Sequence, residues 1–304
     1  MLKTLFFGTS AFAVPSLQTV ARLTNLSGVV TQPDRPSGRG HKLLPTPVKE
    51  AALALRIPTF EPASLKSFAE EMAAESFDLF ALASYGRILP AALIAIPRLG
   101  ALNVHPSLLP RYRGATPIQS AIANGDAETG VSVMLMDAGM DTGPIVLQER
   151  VEIAPGETYG ELHDRLAVVG ANLLAQAIER AAEGAIPATP QRGEPSITRP
   201  LSKPDLAVDW QRPADEIVAL VRSLSPSPAA RANMGGHAVK VLRAHAAPAA
   251  PSVRPGTPIG AQGDAFVIGT GGGGIAIDEV IAPNRGRESG ASFWRRISSE
   301  ARST

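Results

Sequence analysis

Short apolar runs at Leu2 to Phe7, Leu26 to Val30, Phe77 to Ala83, Ala101 to Val104, Val131 to Met136 and Ile145 to Leu147 alternate with stretches of helical periodicity. This alternation narrows the possible folds more than any other feature of the chain. Neighbouring parallel strands need a long crossover between them, and a helix supplies it because it buries one face on the sheet and satisfies its own backbone. Helical stretches fall where crossovers are needed, at Ala11 to Leu23, Pro47 to Leu55, Ser64 to Ala74, Pro117 to Ala123 and Tyr159 to Ala182. Thr46 followed by Pro47 predicts an N-cap and a first-turn proline for the second of these. The expected fold class is α/β, a mainly parallel sheet with helices on both faces.

The pattern changes after residue 184. Pro187, Pro190, Pro195, Pro200 and Pro204 crowd the next stretch, which reads as a linker over 185–205. A chain of 304 residues accommodates two domains, here 1–184 and 206–304. In the second, a helix at Ala214 to Leu224 precedes β-like runs at Ala238 to Leu242, Ala265 to Ile268 and Ile275 to Ile281, which suit a smaller β-barrel. Gly269-Thr270-Gly271-Gly272-Gly273-Gly274 matches G-x-G-x-x-G in letters, yet an alternating strand pattern follows it where a nucleotide fingerprint needs a helix. It predicts a hairpin turn. Neither G-x-x-x-x-G-K-[ST] nor G-x-S-x-G occurs, so dehydrogenase, NTPase and serine hydrolase readings lose their signatures.

A net charge of +1 gives no global attraction to nucleic acid, so any such binding rests on local patches. The absence of cysteine removes thiolate chemistry and disulfides, and His41, His105, His163, His237 and His245 have no metal-ligand spacing, so no metal is expected. The N-terminal apolar run is too short for a signal peptide. Arg87, Pro90, Pro97, Arg98 and Gly100 interrupt the apolar stretch Leu79 to Leu102 well short of a membrane span, and a cytoplasmic protein is expected.

Chemistry concentrates at Asn103 and His105. Two residues apart at the end of a strand, they point to one face and can share a substrate atom. A carboxylate beside them, for which Asp141 in Met140-Asp141-Thr142-Gly143 is the candidate, would complete a set that handles an acyl group without an enzyme nucleophile. An amide donates to an oxyanion, and an imidazole holds or moves a proton near neutrality. Taken alone, Asp141 also fits an Asx turn between Gly139 and Gly143.

The run Asn103 to Pro110, the following Arg111-Tyr112-Arg113-Gly114 and the loop Asp137 to Gly143 together resemble the 10-formyltetrahydrofolate-dependent formyltransferases. Ser107-Leu108-Leu109-Pro110 is similar to that family's hallmark, and the segment from Thr31 to Gly40 resembles a loop of the branch that acts on methionyl-tRNA. The resemblance recurs at Leu201-Ser202-Lys203 and Asp209-Trp210. It implies a Rossmann-like catalytic domain over 1–184 and an OB-like barrel over 206–304 that assists tRNA binding. It implies 10-formyltetrahydrofolate as formyl-donating cosubstrate and initiator methionyl-tRNA as acceptor, with no metal and no membrane; a monomer is expected. Asn103, His105 and Asp141 take the catalytic roles in this resemblance. Ser107, Leu108, Leu109 and Pro110, with Tyr85, Gly86, Ile88 and Leu89, take the folate-binding ones, and Arg35, Arg39 and Lys42 the tRNA-binding ones, Arg39 foremost.

Other readings keep the same residues. A formyltransferase acting on a small amine, such as an amino-sugar nucleotide or glycinamide ribonucleotide, would retain Asn103, His105 and Asp141 without needing the basic loop, and Pro106 is familiar in the glycinamide ribonucleotide branch. A non-catalytic folate- or RNA-binding protein would retain the pocket or the cations. Arg285, Arg287, Arg295, Arg296 and Arg302 form a second candidate basic patch.

Overall fold

The computed structural model describes residues 1–37, 42–248 and 253–300. They divide into two compact units, one of 1–117, 128–152 and 163–199, the other of 118–127, 153–162 and 200–304.

In chain order the first part of the chain carries β1 (Lys3–Gly8), β2 (Asn25–Val30), β3 (Arg35–Ser37), β4 (Lys42–Leu44), β5 (Thr59–Phe60), β6 (Leu79–Ala83), β7 (Ala101–His105), β8 (Arg113–Gly114), β9 (Glu128–Leu135), β10 (Ile145–Glu152) and β11 (Ile197–Thr198). Between them fall α1 (Val14–Leu23), α2 (Pro47–Ala54), α3 (Leu65–Met72), α4 (Ala91–Ile94), α5 (Pro117–Ala123) and α6 (Tyr159–Ala182). Seven strands form one sheet in the order β10-β9-β7-β6-β1-β2-β5. The five strands from β7 to β5 are parallel, while β9 pairs antiparallel with both β7 and β10. The chain moves out from β1 through β2 to β5, then returns across the sheet to β6 and β7. Strand order therefore reverses between β1 and β6, where open α/β sheets leave a crevice at the carboxyl ends of the strands.

Strands at the middle of such a sheet are covered on both faces, which is why Leu5-Phe6-Phe7 and the run Leu79–Ala83 are apolar without alternation. Phe6, Phe7 and Phe80 are fully buried, and Phe7 packs its ring 5.3 Å from that of Phe80. Leu5, Phe7, Phe80 and Leu82 share a core with Phe68, Met72 and Leu93. Thr46 caps α2 as its sequence predicts, its side chain accepting the Lys49 N–H at 3.1 Å with Pro47 in the first turn. Ser64 caps α3 in the same way. Gly170 permits α6 to lie close on the sheet, since a Cβ there would stand 2.6 Å from Val104 Cγ1. The stretch Leu79 to Leu102 becomes β6, a loop, α4 and the start of β7. Among the described residues no helix is long and apolar enough to cross a membrane.

The second unit contains α7 (Ala214–Leu224), β12 (Ala230–Met234), β13 (His237–Ala247), β14 (Pro258–Gln262), β15 (Ala265–Gly269), β16 (Gly274–Ile281), β17 (Arg287–Ser289) and α8 (Gly290–Glu300). Its strands form an antiparallel sheet in the order β12-β13-β16-β15-β14, with β17 on β16. Val241, Phe266, Ile277 and Val280 meet Ile217 and Val221 of α7 and Phe293 of α8 in its core. The glycine run is the expected hairpin, Gly269 pairing with Gly274 and the Thr270 N–H donating to Gly273 O.

Candidate active site

β7 delivers Asn103 and His105 at its carboxyl end, next to the β6 terminus through the Ala83–Val104 pairing. The separation of two places both side chains on the side where Asp141 arrives. Asn103 Nδ2 lies 3.5 Å from Asp141 Oδ1, and His105 Nδ1 lies 3.6 Å from Asp141 Oδ2. His105 is buried at 5% exposure, and the carboxylate is only 16% exposed, so the three groups meet with little water between them.

Two backbone groups fix this geometry. His105 Nε2 stands 2.9 Å from the Tyr112 carbonyl oxygen. A carbonyl only accepts, so Nε2 carries a proton and donates it, leaving Nδ1 as the nitrogen that faces the carboxylate. The Gly114 N–H donates to Asp141 Oδ2 at 2.8 Å. The Asx turn that the sequence allows at Asp141 is made by Asp137 instead, whose Oδ1 accepts from the Gly139 N–H at 2.9 Å and the Thr142 hydroxyl at 2.6 Å. The Asp141 carboxylate is thereby left to the site. Tyr112 and Gly114 were legible only as part of the resemblance; nothing in their side chains signals that their backbone matters.

The expected folate residues divide by burial. Ser107 closes its own turn, Oγ donating to Arg111 O at 2.6 Å, and it is fully buried. Leu109 is buried, its N–H donating to Ser132 Oγ and its carbonyl accepting from Gln148 Nε2; its peptide to Pro110 is cis. Leu108 packs over Gly130, where a Cβ would come within 2.5 Å of Leu108 Cδ2. In the β6 loop, Tyr85 and Leu89 belong to the core and burial pushes the Tyr85 phenol up, whereas Gly86 is exposed and Ile88 is 81% exposed. The loop is pinned from beneath: Thr9 Oγ1 and Gln32 Nε2 both donate to the Tyr85 carbonyl at 2.8 Å.

The basic segment is built differently from the open loop that the sequence suggests. β3 and β4 make a short antiparallel ribbon in which Arg35 pairs with Leu44 and Ser37 with Lys42. Arg39 lies outside the described residues. Lys49, in the first turn of α2, is held between Glu61 Oε1 at 2.6 Å and Asp34 Oδ1 at 2.9 Å, and hydrogen bonds to Glu61 and then Asp34 raise its pKa. It anchors the ribbon's base. In the second candidate patch Arg296 pairs with Glu288 and Glu300 and Arg287 with Glu279, while Arg302 lies outside the described residues. Residues 287–300 form the strand β17 and the helix α8, with Phe293 buried. Among the described residues no group of three or more His, Asp or Glu could hold a metal ion.

Residues 3–178 match the family model described as formyl transferase, and residues 200–298 match the one described as formyl transferase, C-terminal domain. The chain is 43% identical over 298 residues to the methionyl-tRNA formyltransferase of Pelotomaculum thermopropionicum, covering 97% of this chain and 95% of that one. It is 44% identical over 292 residues to the methionyl-tRNA formyltransferase of Pelobacter propionicus, covering 95% and 91%. Among solved structures, the N-formyltransferase of Helicobacter canadensis, in complex with folinic acid and dTDP-3-aminofucose, matches with a TM-score of 0.66 at 20% identity, over 91% of this chain and 99% of that one. HypX of Aquifex aeolicus, in complex with tetrahydrofolic acid, matches with a TM-score of 0.65 at 17% identity; 97% of this chain is covered, which spans 47% of HypX.

Proposed function

Because this chain belongs to the formyl transferase family, we propose that it transfers the formyl group of 10-formyltetrahydrofolate to the amino group of initiator methionyl-tRNA, giving N-formylmethionyl-tRNA for translation initiation. One observation carries the chemistry: an amide, an imidazole and a carboxylate converge within 3.6 Å at the carboxyl end of β7. The relatives' names support the acceptor.

The amine attacks the formyl carbon, a new N–C bond forms and the carbonyl oxygen gains negative charge. Asn103 Nδ2 donates to that oxygen, and so does His105 Nδ1 in the doubly protonated ring, whose Nε2 proton stays on the Tyr112 carbonyl; each well-placed donor lowers the barrier by about 3 kcal/mol. Asp141 accepts the proton that the attacking amine loses. The bond from carbon to N10 then breaks, and N10 receives that proton. Nothing is left attached to the protein. Ile88 and Gly86, exposed on the loop after β6, form one wall for the donor, and the Ser107-Leu108-Leu109-Pro110 turn, with Ser107, Leu109 and Pro110 buried and Leu108 half-buried, forms another. Arg35, Arg39 and Lys42 supply the cations for the acceptor end of the tRNA in this reading.

Mass spectrometry of methionyl-tRNA after incubation with the protein and 10-formyltetrahydrofolate tests the reading; a formyl group on the methionine is the expected result. Unmodified methionyl-tRNA, with formylation of a small amine in a parallel reaction, would move the acceptor to that class.

A further inference from the structure

The stretch after α6, expected to be part of a linker, is bound along the first unit up to residue 199. Thr189 and Ile145 exchange two backbone hydrogen bonds of 2.8 and 2.9 Å, Ser196 Oγ accepts the Tyr112 N–H at 2.8 Å, and β11 pairs with β8. Between these anchors stands Gln191. Its Nε2 donates to the carbonyls of Asp141 and Gly143, both at 2.8 Å, and its Oε1 accepts from Arg113 at 2.7 and 3.2 Å. One carboxamide thus uses both its donors and its acceptor oxygen within the protein.

Two left-handed residues lie under this stretch: Tyr112 at φ +56°, a conformation that a bulky side chain keeps only when its surroundings enforce it, and Asp141 at φ +53°, which aspartate adopts more readily. These two residues meet the two ring nitrogens of His105, Tyr112 through its carbonyl on Nε2 and Asp141 through its carboxylate beside Nδ1. The strap bonds to both, Ser196 to the Tyr112 N–H and Gln191 to the Asp141 carbonyl.

We propose that Gln191 is a positioning residue for formyl transfer, tying the turn that carries Asp141 to Arg113 and so holding the Asp141 carboxylate against Asn103 and His105. The inference rests on the reaction proposed above. Gln191 reaches no reacting atom itself; it acts through Asp141.

Single-turnover formyl transfer of wild type, Gln191→Ala, Gln191→Glu, Asp141→Asn and the Gln191→Ala/Asp141→Asn double variant tests it, with donor and tRNA dissociation constants and thermal midpoints as controls. Both Gln191 variants should lose at least about tenfold in rate, the scale of a misplaced catalytic group, while both dissociation constants stay near wild type. Gln191→Glu keeps the acceptor for Arg113 and loses both donors to the turn, so an undiminished rate in it would overturn the inference. In the Asp141→Asn background, Gln191→Ala should cost less than about twofold more, because a residue acting only through Asp141 has nothing left to position. An equal loss in both backgrounds, or a loss matched by a fallen thermal midpoint, would assign Gln191 to fold stability and overturn the inference. A wild type that transfers no formyl group overturns the functional reading itself, and this inference with it.

Discussion

Replacing Asp141 by Asn isolates the carboxylate's chemistry from its shape. The carboxylate accepts the Gly114 N–H through Oδ2 at 2.8 Å and stands 3.5 Å from the Asn103 amide through Oδ1. A carboxamide has one acceptor and one donor in those positions. Either its NH2 meets the Gly114 N–H, or it keeps its oxygen there and turns the NH2 toward the donor of Asn103. The Gly114 contact is the shorter, so the second arrangement wins, and the position next to Asn103 then holds a group that can take no proton. Losing a proton acceptor of this kind slows transfer by about a hundredfold or more, about 2.7 kcal/mol in the barrier. The backbone should tolerate the change, since Asn is among the residues that adopt φ near the +53° observed at this position. Single-turnover transfer to methionyl-tRNA measures the rate, and circular dichroism melts check the fold. A variant within a few-fold of wild type would refute the role given to Asp141.

Gly130→Ala should destabilise the first unit by about 2 kcal/mol, the scale of overpacking, because its Cβ would stand 2.1 Å from Glu149 O and 2.5 Å from Leu108; an unchanged urea midpoint would count against that packing. Glu161 is held down to about 2, from 4.5, by hydrogen bonds from the Thr158 N–H, Arg243 and the Thr158 hydroxyl. A lowered carboxyl pKa stabilises the fold above the unfolded value and loses that effect as pH falls through the folded one, so the lead of wild type over Glu161→Gln should be full above pH 4.5 and vanish toward pH 2. The exposed carboxylate is screened by water, which limits the difference at neutral pH to about 1 kcal/mol; urea unfolding of both proteins at several pH values reads it. Arg39→Ala should weaken tRNA use by about 1 to 3 kcal/mol without changing donor binding, and wild-type tRNA affinity should fall steeply with salt. Equal tRNA kinetics in both proteins would remove Arg39 from the interface.

The parallel sheet was readable from sequence because its central strands are uniformly apolar, and Thr46-Pro47 set the start of α2 through local chemistry alone. Asn103 and His105 were readable for a similar reason: two residues apart on a strand is a geometric statement. Asp141 required the resemblance, since an aspartate between glycines has an equally good local use, which Asp137 in fact fills. Gln191 was hidden. A proline-rich stretch looks like a linker, and only tertiary pairing with Ile145, Tyr112 and β8 turns it into a strap.

The seven-stranded sheet ends on β5 and β10, and each end is blunted against adding a strand from another molecule. β5 has two residues, too few to template a ladder. β10 is eight residues long and would be the hazard, but its start is taken by the Thr189 bridge and its middle is the exposed run Gln148-Glu149-Arg150. A newly made chain in which the strap has not yet docked leaves Ile145 to Leu147 open along that edge. Aggregation during refolding should therefore be most sensitive to changes at residues 187–199, well away from the apolar core that conventional stability arguments address.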